Sequence, residues 1–234
     1  MAEVAVDGPH GALPAHLAVP AGDGPWPGLV VVHELFGLNA DIRRITDRFA
    51  AAGYVALAPD LFAEGGRIAC MRAAFRQLSS GSGPMFDDIA AARSALIERT
   101  DCTGAVGVVG FCLGGGFALL AAPQGFAASN VNYGQVPKEA ESLLRGACPI
   151  IASYGARDRG LRGQDRRLHA VLTELRVEHE VKTYPDAGHS FINQHSGPLH
   201  LLLGKVVGAG YHGPSAEDAW LRILAFFAKH LGKE

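Results

Sequence analysis

Three short runs of this chain are apolar almost without interruption: Gly28–His33, Tyr54–Ala58 and Ala105–Val109. Each is too short for a typical helix and lacks the alternation of a half-exposed strand. They read as strands covered on both faces. Between them the apolar residues take a helical spacing, as in Ile42, Ile45 and Phe49, or Phe86, Ile89, Leu96 and Ile97. Strands alternating with helices must be joined by crossovers. That requires a mostly parallel central sheet with helices on both faces.

The remaining elements extend this pattern. Residues 3–19 read as a hairpin around Asp7-Gly8-Pro9, followed by a loop rich in Gly and Pro from Pro20 to Pro27. The helix from Asp41 should stop at Gly53, and Tyr54–Ala58 closes on Pro59-Asp60. A short helix is expected over Ala69–Leu78, then a loop from Ser79 to Pro84. Helix 113–122 and strands Ser129–Tyr133 and Pro149–Tyr154 follow. Leu168, Leu172 and Leu175 mark a helix, Glu178–Tyr184 a strand and Ala216–His230 a last helix. With 234 residues and 48% hydrophobic content, residues 1–234 are expected to form one domain with a substantial core.

Charge narrows the partners. A net charge of −2, with 21 scattered basic residues, gives no electrostatic attraction to nucleic acid or to an anionic membrane. Met1–His10 has no charged stretch leading into an apolar run, and no apolar run is long enough to span a bilayer. The four cysteines, Cys70, Cys102, Cys112 and Cys148, have neither metal-ligand spacing nor the density of a disulfide framework. A cytoplasmic protein with free thiols is expected, as a monomer or weak dimer without metal or cofactor.

Sheets of this type place their active sites beyond the carboxyl ends of the strands. Four such ends carry polar residues: His33-Glu34, Cys112, Asp158 and His189. A free cysteine is most often a small core residue. Cys112, however, sits in Gly110-Phe-Cys-Leu-Gly114, between a strand and a helix. That is a nucleophile elbow with sulfur in place of oxygen. Small flanking residues permit a strained turn that aims the side chain outward. The helix from Leu113 directs its N-terminal dipole and free N–H groups at the sulfur, which favours thiolate.

A thiol nucleophile needs a base, and the base needs an orienting acid. His189 and Asp158 follow later strands, in the order nucleophile, acid, histidine. Asp165 and Asp186 are rivals for the acid. Position after strand 149–154 favours Asp158. The strand end at Glu34 is where this fold supplies a second oxyanion donor, so the N–H groups of Leu35 and Leu113 form the expected oxyanion hole. His33-Glu34 is not a zinc protease motif, because position 37 is Gly.

These residues carry a resemblance. Val30–Asn39, Gly53–Phe62, Val106–Gly115 and Asp186–Phe191 are similar to segments of the dienelactone hydrolase family, over roughly residues 15–195 plus the last helix. The resemblance implies an α/β-hydrolase fold, a Cys112–His189–Asp158 triad and hydrolysis of a small ester or lactone. It also implies that Glu34 holds the resting thiol until substrate arrives, so that activation waits for substrate. Two arginines grip a substrate carboxylate in that family. Asn193 stands where one belongs, and Arg67, Arg72 and Arg76 are the candidates for the other. Phe36 is a further candidate substrate contact. Segment 196–213, with His200, Tyr211 and His212, reads as an addition that walls the pocket.

Two other classes compete. A non-catalytic binding protein on this scaffold would not need Glu34, Cys112, Asp158 and His189 in register. A redox thiol protein needs a resolving cysteine, and Cys102 should sit at the far end of the strand that leads to Cys112.

Overall fold

The computed structural model describes residues 1–63, 65–194 and 209–232. Eight strands form one sheet: β1 (Ala2–Gly8), β2 (Gly11–Ala18), β3 (Trp26–Val32), β4 (Val55–Pro59), β5 (Cys102–Phe111), β6 (Ala128–Asn132), β7 (Ile150–Gly155) and β8 (His179–Tyr184). Their spatial order is β1-β2-β4-β3-β5-β6-β7-β8. The β1–β2 and β2–β4 pairs are antiparallel, and the rest are parallel. The helices are α1 (Ala40–Ala51), α2 (Arg67–Ser80), α3 (Pro84–Ile97), α4 (Leu113–Ala121), α5 (Ala140–Leu143), α6 (Gln164–Glu174) and α7 (Gly213–Leu231). Among the described residues, no helix is long and apolar enough to cross a membrane.

The unbroken apolar strands are buried on both sides. Val30 and Val32 of β3 face a core with Phe86 and Ile89 of α3, Phe117 of α4 and Leu168 and Leu172 of α6. Leu29 and Val31, one residue out of phase, face a second core with Ile42, Ile45 and Phe49 of α1 and Trp220, Ile223 and Phe227 of α7. The period-2 alternation of a strand divides one sequence run between two layers. Each large side chain so buried contributes about 1.5–3 kcal/mol.

Several elements differ from expectation. Helix α2 outruns Ala69–Leu78 at both ends, because its C-terminal stop is Gly81, in the left-handed conformation with φ 71°. Strand β5 begins three residues early, since Cys102 pairs with Trp26, and continues through Gly110 to Phe111. Gly110 is a strand residue because it pairs with Val32 and Val131, and it is glycine because the backbone of α4 lies against it. The single turn α5 carried no periodic signal.

Candidate active site

Cys112 is held at the crest of a strained turn. It is the N-cap of α4, with φ 55° and ψ −114°, a conformation rarely adopted by a non-glycine residue. Its N–H donates to the Asn132 carbonyl at 3.0 Å, and its carbonyl accepts from Gly115 and Gly116. The flanking glycines are sterically required. A Cβ at position 110 would lie 1.9 Å from the Gly114 carbonyl oxygen, and one at position 114 would lie 2.3 Å from that of Val32. No side chain fits, so the elbow closes only with glycine at both places.

Three strand ends meet at this turn. His189 Nε2 lies 3.0 Å from Cys112 Sγ, and His189 Nδ1 lies 2.6 Å from Asp158 Oδ2. The second carboxylate oxygen of Asp158 accepts the N–H groups of Gly160 at 2.9 Å and Leu161 at 3.2 Å. Asp158 is therefore fixed by its own loop before it orients the imidazole. Burial works against a charged His189. The hydrogen bonds to Asp158 and Cys112 and their negative charges outweigh it, and its pKa is raised to about 10. The rival acids are engaged elsewhere: Asp165 accepts from the Thr183 hydroxyl, and Asp186 pairs with Arg157 on the surface.

Glu34 is buried at the end of β3, in a turn closed by the Gly37 N–H donating to the Glu34 carbonyl. Asn39 Nδ2 donates to its Oε1 at 3.0 Å. The Asn39 side-chain oxygen meanwhile accepts from Asp41 N and Ile42 N, capping α1. The N–H groups of Leu35, in the turn, and Leu113, first in α4, find no protein acceptor among the described residues.

A strained cysteine thus lies in contact with a histidine–carboxylate pair beyond the carboxyl ends of the parallel strands. The model of the dienelactone hydrolase family matches residues 13–231. The chain belongs to the dienelactone hydrolase family. That places it among hydrolases of lactones and esters, on an α/β-hydrolase fold. It is 29% identical over 257 residues to a Salmonella typhimurium protein named "Putative carboxymethylenebutenolidase", covering 95% of this chain and 84% of that one. It is also 29% identical over 256 residues to an Escherichia coli K12 protein of the same name, with the same coverage. The crystal structure of a "Putative Dienelactone Hydrolase" from Klebsiella pneumoniae superposes with a TM-score of 0.81 at 26% identity, covering 97% of this chain and 98% of that one.

The other residues singled out by the family pattern occupy varied places. Phe36 is half-buried in the turn after Glu34. Asn193 is completely buried, with both ends of its amide in use: Tyr133 Oη donates to its Oδ1, and its Nδ2 donates to Asp41 Oδ2 at 2.8 Å. Being wholly buried, that side chain presents no exposed donor to a substrate carboxylate. Arg67 opens α2, and Arg72 and Arg76 are exposed along it. Arg76 lines a cleft of about 380 Å³ with Asp60, Cys70 and Met85, to which Cys112, His189, Asp158 and Glu34 do not contribute. Within segment 196–213, residues 196–208 lie outside the described residues. The chain is described again from Ala209, which bridges His189, while Gly210 N donates to the His189 carbonyl and His212 N to that of Phe191.

Two residues take places that the sequence alone does not assign them. Tyr133, taken as the last strand residue, lies just past β6 with φ 42°, and its ring meets that of His189 edge-on at 5.3 Å. As the last residue of the expected strand Ser129–Tyr133, it falls under the same strand-end rule once a tyrosine hydroxyl is counted as polar. His33 is buried, with Nδ1 donating to the Glu34 carbonyl at 2.7 Å and Nε2 accepting from Leu61 N at 3.0 Å. Burial depresses its pKa, so it is a neutral imidazole of fixed tautomer that pins the Glu34 turn to the end of β4.

Proposed function

We propose that this chain hydrolyses a small lactone or ester through a covalent Cys112 acyl-enzyme. The observation that carries this reading is the continuous contact Sγ–Nε2 at 3.0 Å and Nδ1–Oδ2 at 2.6 Å, built on a strained elbow. With the proton on His189, the sulfur attacks the carbonyl carbon as thiolate. The oxyanion of the tetrahedral intermediate is held by the N–H groups of Leu35 and Leu113, each contributing a rate factor on the order of a hundred or more. Collapse breaks the C–O bond, and His189 gives its proton to the departing alkoxide. His189 then takes a proton from water as the water attacks the thioester. The acid leaves, and thiolate and imidazolium are restored.

Within this reading, residues 1–234 act as one catalytic domain, and Glu34 holds back the resting thiol. The relatives' name points to a lactone bearing a carboxylate. The committed amide of Asn193 favours a substrate whose recognition does not use that position. Turnover of a neutral aryl ester and of a carboxylated enol lactone should be compared, with intact-mass detection of an acyl adduct on Cys112. Absence of both turnover and adduct would leave the binding-protein alternative standing.

A further inference from the structure

Asn193 lies four residues beyond His189, in the loop that carries it, and is wholly buried. Burying a side-chain amide is costly unless each polar atom is bonded. Here every bond has a forced direction. Asp41 can only accept, so the NH₂ group must face it, at 2.8 Å. Oδ1 therefore faces the Tyr133 hydroxyl. Burial, and the nearby charges of Glu34, Cys112 and Asp41, raise the Tyr133 pKa far above its ordinary value, so that hydroxyl stays a donor.

The chain of contacts continues at both ends. Asp41 also accepts the Gln194 N–H at 3.2 Å, and Arg44 grips its other oxygen at 2.6 and 3.1 Å. Asp41 thus fastens the histidine loop twice to the first turn of α1, the same turn whose cap, Asn39, holds Glu34. At the other end, the Tyr133 ring rests against the imidazole of His189. Two non-glycine residues on this path, Tyr133 and Ser190, have positive φ (42° and 57°), a strain that surrounding bonds must hold.

We infer that Asn193 is a positioning residue for His189, setting the imidazole against Cys112 through Tyr133 on one side and Asp41 on the other. The inference rests on the reading of Cys112 and His189 as the reacting pair. It makes the first turn of α1 a common anchor for the glutamate turn and the histidine loop, the two segments that flank the sulfur.

The test is an exchange of partners. Asn193→Asp sets two carboxylates against each other, whereas Asn193→Asp combined with Asp41→Asn restores the donor–acceptor pair between the two side chains but leaves the Gln194 N–H without its acceptor. Alkylation of Cys112 by iodoacetamide is followed from pH 6 to 9, with kcat and KM for an aryl ester. Asn193→Asp should slow alkylation at pH 6.5 by about tenfold and lower kcat at least as much, leaving KM within about twofold, as expected for a misplaced base. The exchanged pair should recover part of both rates, because the bond between the two side chains returns while that to Gln194 does not. A wild-type alkylation profile in Asn193→Asp overturns the inference. If Asn193→Asp does not fold, Tyr133→Phe keeps the ring and removes only the hydroxyl. Slower alkylation at pH 6.5 supports the inference, and an unchanged profile overturns it. If the wild type hydrolyses no ester, the proposed reaction fails while the alkylation profiles still decide the positioning role.

Discussion

Asp158 and His189 are joined by a 2.6 Å hydrogen bond, and the aspartate's other oxygen is held by two N–H groups of its own loop. Both carboxylate oxygens of Asp158 are therefore engaged. Against the opposing effect of burial, that relationship and the contact with Cys112 together raise the His189 pKa to about 10.

Replacing Cys112, the proposed nucleophile, should separate chemistry from folding. Cys112→Ala is expected to abolish ester turnover while the circular dichroism spectrum stays unchanged. Cys112→Ser should lose about a hundredfold or more in kcat, because a hydroxyl is a weaker nucleophile in a site arranged for sulfur. Wild-type turnover in Cys112→Ala would remove the cysteine from the mechanism.

Asp158→Asn removes the negative charge and the strongest acceptor at Nδ1. The His189 pKa should fall from about 10 toward the ordinary histidine range. The alkaline limb of the kcat/KM profile should move down with it, and kcat should drop by about 10³–10⁴. A pH–rate series on both proteins gives the answer. An unmoved limb would mean that some other group titrates there.

The same shift sets a sign for stability. His189 has a raised pKa in the folded state, so its contribution is fully present below the unfolded value near 6.5 and is lost as pH rises through about 10. Denaturant midpoints should decline over that window in the wild type. The decline should be smaller in His189→Ala. Equal slopes for the two proteins would contradict the assignment.

Gly155, the last residue of β7, lets the histidine loop lie directly on the strand. A Cβ there would be 2.5 Å from the carbonyl oxygens of both Ala187 and Gly188. Gly155→Ala must therefore displace the loop that ends at His189. Turnover should fall by at least about tenfold. The melting temperature should also drop, because backbone rather than a flexible side chain has to move. Retained activity and stability would show that the loop has slack.

Much of this was legible in the residues themselves. An unbroken apolar run can lie only between two layers, so Gly28–His33 and Tyr54–Ala58 imposed a doubly covered sheet. Glycines on both sides of Cys112 signalled a turn too tight for any other residue, because that constraint is local. The acid was less determined. Asp158, Asp165 and Asp186 follow neighbouring elements, and only the packing of two loops put Asp158 against the imidazole while tying the others to Thr183 and Arg157.

Asn193 marks where local information ends. Sequence comparison could say what it replaces, but a buried amide takes its role from partners 60 and 152 residues away in the chain. Periodicity and steric punctuation act over a few neighbours, so they fixed the strands, the helices and the elbow. Hydrogen-bond direction depends on which distant groups the fold brings within 3 Å. The setting of His189, the fixed tautomer of His33 and the shared anchor at α1 were therefore decided by tertiary structure alone.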